Sequence, residues 1–138
     1  MADVTRVLCS CSAPVDALWR AISEPALLAR WLGSCPDLRM EEGVSFSLQL
    51  PARPWFDGRI AAQVRHVDVG RTWQMSWSNP ALDGETLARL SAIATPGGSR
   101  LEVTHSGFAG GSLAMKALHI AGWNKVARLD LKKVLASM

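Results

Sequence analysis

The chain has 138 residues, enough for one domain, residues 1–138, that buries roughly 68% of its unfolded surface without disulfide or metal staples. Hydrophobic residues make up 49% and charged residues 20%, and 15 basic against 12 acidic side chains leave a formal charge of +3. The arginines are scattered from Arg6 to Arg128 and no basic run reaches four residues, which argues for a solvated surface and against a nucleic-acid partner.

Residues 4–12 alternate as a strand, with Thr5, Val7, Cys9 and Cys11 on the better core face. Pro14 opens a helix over 14–22 with Val15, Leu18, Trp19 and Ile22 on one side, and Ser23-Glu24-Pro25 opens a second that Gly33 ends. Pro36 to Leu50 reads as two short strands. The first carries Leu38 and Met40, and the second alternates Val44, Phe46, Leu48 and Leu50 with Ser45, Ser47 and Gln49. Two prolines make 51–56 a loop with an aromatic tip, Trp55-Phe56, read as a lid or a contact surface. Residues 58–69 form a strand with Ile60, Ala62 and Val64 inward, and His66 on the same face if alternation holds. Thr72–Ser78 turns Trp73, Met75 and Trp77 inward. Asn79-Pro80 and Asp83-Gly84 bound a loop. In 85–95 Leu87 and Leu90 compete for the inner face; in 100–106 Leu101, Val103 and His105 share one.

Ser112 to Leu135 contains no proline and one glycine, with Ser112 as cap, and predicts a helix about 36 Å long. On a wheel, Lys125, Arg128 and Lys132 form a narrow polar arc. Met115, Leu118, Val126 and Leu129 lie on one flank, and Ile120, Ala127, Leu131 and Val134 on the other. Trp123, His119 and Asp130 lie at the centre. A helix this apolar wants a large surface, and a meander with one apolar and one polar face supplies it. The expected fold is α+β: a curved antiparallel sheet of six or seven strands around a long C-terminal helix, with two short helices after the first strand.

The start Met1-Ala2-Asp3 has no apolar signal segment, and no window approaches about 18 apolar residues, so a cytoplasmic protein without a membrane span is expected. Three cysteines, two of them as C-x-C, match neither a zinc knuckle nor a redox pair and read as reduced packing residues. The three histidines form no close pair of the H-x-x-x-H kind, so no metal and no cofactor is expected.

Ala13-Pro14, Trp19, Pro25, Leu28 and Trp31-Leu32 resemble the opening of the SRPBCC/START-like superfamily. Gly43 with Phe46, the Thr72-Trp73 to Trp77 strand, His105-Ser106-Gly107-Phe108 and Gly122-Trp123 resemble its branch named after the activator of Hsp90 ATPase. The resemblance covers nearly the whole chain. It implies a helix-grip fold whose cavity, between sheet and helix, takes apolar or aromatic small molecules in many members and hosts reactions in some. The branch name points to a stress-response setting and a chaperone partner. The eukaryotic co-chaperone carries a further N-terminal domain, for which this chain has no room, and that places an Hsp90-type partner behind a small molecule. Asp130 departs from the family, where this turn is usually apolar: either the helix register is off by one or the cavity is polar.

Three functions follow. The leading one is capture of an apolar or aromatic ligand by Trp73, Met75, Trp77, Leu118 and Trp123, with His105, His119 or Asp130 orienting its polar end. The second is a cyclase- or hydrolase-like enzyme with His119 or His105 as general acid or base, although no catalytic set is evident. The third is a co-chaperone-like interaction module; the aromatic tip also allows a homodimer.

Overall fold

The computed structural model describes residues 5–54, 56–79, 85–107 and 113–138. The expected features at Trp55, Pro80, Asp83-Gly84, Phe108 and Ser112, and the side chain of Met115, lie outside the described residues. Six antiparallel strands form one curved sheet: β1 (Thr5–Cys11), β2 (Ser45–Gln49), β3 (Arg59–Asp68), β4 (Thr72–Trp77), β5 (Thr86–Thr95) and β6 (Gly98–Ser106). The spatial order is β1-β6-β5-β4-β3-β2, so five strands run as a meander and β1 closes the far edge against β6. Between β1 and β2 lie α1 (Val15–Ser23) and the single turn α2 (Pro25–Leu28). The chain ends in α3 (Leu113–Lys125), a π-helical segment Val126–Leu131, and α4 (Lys132–Ala136).

The alternating sequence sets the sheet's inner face. Phe46 and Leu48, Ile60, Ala62 and Val64, Trp73, Met75 and Trp77, and Leu101, Val103 and His105 are all buried. In β5 the competition is settled by pairing. Leu90 stands opposite Trp73 on one side and Val103 on the other, and Ala88 opposite Met75 and His105, so Thr86, Ala88, Leu90 and Ala92 point inward. α1 packs Leu18, Ala21 and Ile22 across β5 and β6 and touches the last turn of the C-terminal helix.

Three local expectations are corrected. Leu38 to Met40 is no strand; the segment turns and bends, with Leu38 buried. α2 ends at Leu28, and Ser23 is the last residue of α1, its hydroxyl donating to Trp19 C=O at 2.6 Å. His66 is not inward. A bulge between Val64 and His66 breaks the alternation, so His66 lies exposed, 3.8 Å from the Glu42 carboxylate.

The C-terminal helix also differs from its wheel. Leu118, Ile120 and Leu129 are exposed, and the buried stripe is Trp123, Ala127, Leu131 and Val134. Spacings of four overshoot an α-helical turn by about 40° each, so a pure α-helix would carry Leu131 off the face that buries Trp123. The π-helical segment closes i→i+5 bonds and winds less per residue, which holds Leu131 inward and moves Asp130 to the edge of that face. Asp130 is half-buried there. The helix is held down at Cys9, whose thiol donates to Ala127 C=O at 3.7 Å, and at the β1 edge, where Arg128 Nη2 donates to Leu8 C=O at 3.1 Å.

Candidate functional site

Beneath α3 and the π-helical segment, the sheet and helix leave a pocket of about 240 Å³. Its walls are Leu32, Leu50, Ile60 and Trp77 on one side and Leu118, His119, Trp123 and Val126 on the other, with Phe56 from the 50–58 loop. Gly122 leaves the helix side open, for a Cβ built there meets nothing within 4 Å. Arg53, Lys125 and Asp130 are the charged members of the lining.

The loop is tied at its base. Leu50 N–H donates to Gly58 C=O at 2.7 Å, and Asp57 Oδ1 accepts from Arg59 N–H and Asn79 Nδ2, both at 3.0 Å. Those bonds hold the Asp57 carboxyl below the usual carboxylate range. Gly58 has φ +83°, and a Cβ there would sit 2.2 Å from Leu50 O. Gly58→Ala is expected to cost about 1–3 kcal/mol in urea denaturation, because both the backbone angle and the loop closure must yield.

Behind the pocket lies a buried polar relay that fixes a tautomer. Trp123 Nε1–H donates to His105 Nδ1 at 3.1 Å, so that nitrogen must be unprotonated. His105 Nε2 then carries the proton and donates to Thr86 Oγ1 at 2.7 Å, and the threonine hydroxyl donates to Trp77 C=O at 3.1 Å. His105 is wholly buried, and burial first, then the neighbouring His119, pushes its pKa down to about 3. Above that value it stays neutral. Around it the rings cluster: His105 to His119 at 4.8 Å, Trp77 to His105 at 5.2 Å, Trp77 to Trp123 at 5.5 Å and Trp77 to His119 at 6.0 Å. The Trp77 indole N–H is buried and has no hydrogen-bond partner among the described residues.

Of the residues singled out from the sequence, Trp77, Leu118, His119, Trp123 and Asp130 come together around the pocket. Trp73, Met75 and His105 are buried and are not part of its lining. His105 stands behind the wall, and Trp73 is turned to α1, where Nε1–H donates to Ile22 C=O at 2.7 Å. Sequence reading missed Leu32, Leu50, Arg53, Lys125, Val126 and Gly122. A glycine inside an otherwise strong helix, at about 1 kcal/mol relative to alanine, was the one available signal among them.

Cys11 and Cys35 are pushed up to about 11, mainly by burial, so both remain thiols rather than nucleophilic thiolates. Among the described residues no three His, Cys, Asp or Glu side chains converge to hold a metal ion, and no helix is long and apolar enough to cross a membrane.

A family model described as Activator of Hsp90 ATPase homolog 1-like protein matches residues 12–136. The chain belongs to the AHSA1 family. Solved structures agree on the fold of this AHSA1 domain. The crystal structure of the Mesorhizobium loti protein MLL2253 is 24% identical, with 98% of each chain covered and a TM-score of 0.83. The solution structure of Bacillus halodurans BH1534 is 22% identical, with 96% of each covered and a TM-score of 0.79. DynU16, described as a putative protein in the dynemicin biosynthetic locus, is 26% identical, with a TM-score of 0.82 over 98% of this chain and 48% of that one. The AHSA1 domain thus spans about half of DynU16. No curated protein matches the sequence.

Proposed function

We propose that this AHSA1 domain captures a small apolar or aromatic molecule between its sheet and its C-terminal helix. The observation that carries the reading is the pocket itself: about 240 Å³ of space walled by Trp77, Trp123, Phe56, Ile60 and Leu50. A dry cavity of about 150 Å³ accepts benzene, and drug-sized ligands need roughly 300 Å³ or more, so one or two fused rings suit this site. Capture would be driven by apolar surface leaving water and by stacking on the two indoles. Trp77 also keeps a buried indole N–H that has no hydrogen-bond partner among the described residues. An interaction module in the manner of the family's namesake calls for a filled interior instead, which is why ligand capture ranks ahead of it.

The test uses 2-naphthalenemethanol as a neutral two-ring probe. At a hundred times its Kd it should stabilise the protein by about 2.7 kcal/mol, read as a raised melting temperature. Gly122→Leu should abolish that shift, since Gly122 is part of the pocket lining and no protein atom within 4 Å of a Cβ there hinders a side chain from covering the opening. The same variant should melt no lower than the wild type, because removing a helix-interior glycine gains roughly 0.5–1 kcal/mol. A probe shift that survives Gly122→Leu would remove the pocket from the account.

A further inference from the structure

We propose that the molecules this pocket takes end in an anion, a carboxylate above all, held by Arg53 and Lys125. The inference rests on the capture reading and adds the chemistry of the ligand's polar end. Among the described residues, three charged side chains line the pocket. Arg53 comes from the loop, Lys125 from the end of α3, and Asp130 from the π-helical segment. Arg53 and Lys125 are exposed, while Asp130 is half-buried. Among the described residues, no ion pair engages any of the three. Two unpaired cations against one carboxylate around one small apolar space give a field that favours negative charge. The chemistry suits a carboxylate in particular: the guanidinium fork of Arg53 matches its two oxygens, and the Lys125 ammonium adds a point charge. Asp130 lowers the balance by one charge, so the net field of the three is that of a single cation.

Three ligands that share one ring system isolate the charge: 2-naphthoate, 2-naphthalenemethanol and 2-naphthylmethylammonium, titrated calorimetrically at neutral pH and low salt. Naphthoate is expected to bind roughly tenfold tighter than the alcohol, as a charge-assisted hydrogen bond allows, and the ammonium most weakly. Combining Arg53→Gln with Lys125→Gln should bring the ratio between carboxylate and alcohol to about one. High salt should shrink it too, since exposed charges are screened over about 10 Å at 0.1 M. Equal affinities for carboxylate and alcohol, or a preference for the ammonium, would overturn the inference while capture stands. Failure of all three to bind would overturn both.

Discussion

His105→Leu is expected to destabilise the protein by about 2–4 kcal/mol and to loosen the indole wall of the pocket. Leucine fills much of the imidazole's space but offers neither nitrogen. Trp123 Nε1–H then has no acceptor at its 3.1 Å partner, and Thr86 Oγ1 loses the donor at 2.7 Å. An orphaned buried donor costs about 1–3 kcal/mol, and the misfit of an aliphatic group among three rings adds to it. His105→Gln keeps one donor and one acceptor and should recover part of the loss. Urea denaturation measures the stabilities. A near-neutral effect of His105→Leu would mean that Trp123 finds another acceptor and the relay is not a structural tie.

The same residue dictates a pH dependence. Its folded pKa of about 3 lies below the ordinary histidine value of about 6.5. Above pH 6.5 the imidazole is neutral in both states and its contribution is fully present. As pH falls below about 6.5 the unfolded chain takes up a proton that the folded protein refuses, so stability declines by up to roughly 1.4 kcal/mol per pH unit until about pH 3. The interval between about pH 6.5 and 4.5 is diagnostic, because Asp57, whose folded pKa is lowered, gives up its stabilisation only at lower pH. His105→Gln should flatten the curve in that interval.

The sequence made the sheet legible because its signal is local. Phe46 and Leu48, or Trp73, Met75 and Trp77, alternate in place, and any antiparallel sheet must bury that side. The facing of β5 was not legible. Ala88 and Leu90 are inward because Met75, Trp73, His105 and Val103 lie opposite them, which is a fact about distant segments. The bulge that expels His66 has no signature in its own residues, and a wheel drawn with one period could not anticipate a π-helical turn between Trp123 and Leu131. The site suffered most from these non-local terms. The helix side of the pocket carries His119, Trp123 and Asp130, which the helix wheel puts at its centre, but the facing wall comes from Leu32, Leu50 and Ile60, far apart in the chain. Of the tryptophans that the sequence puts forward for ligand capture, Trp77 and Trp123 line the pocket and Trp73 does not. Trp31 and Trp73 do something else.

Those two indoles end α1, and Trp73→Ala is expected to have the largest effect of any single change considered, about 4–5 kcal/mol or more. A helix leaves its last carbonyls without partners, and Pro25 prevents this one from continuing. Arg20 C=O is met by Glu24 N–H at 2.9 Å. Trp31 Nε1–H donates to Ala21 C=O at 2.8 Å, and Trp73 Nε1–H to Ile22 C=O at 2.7 Å. The indole from β4 therefore both fills the core, where it is 1% exposed and lies 6.3 Å from the Phe46 ring, and satisfies a helix terminus. Truncation to alanine removes a large buried side chain, a loss of about 3–5 kcal/mol, and strands the Ile22 carbonyl as well. Trp73→Phe separates the two: most of the volume stays and only the donor goes, for an expected loss of about 1–3 kcal/mol. Because Trp73 is not part of the pocket lining, Trp73→Phe should leave naphthoate affinity within about twofold of wild type wherever the protein is folded, a limit set by the near-additivity of separate sites. A large loss of affinity in the folded Phe variant would instead make Trp73 part of the binding wall and return it to the ligand set read from the sequence.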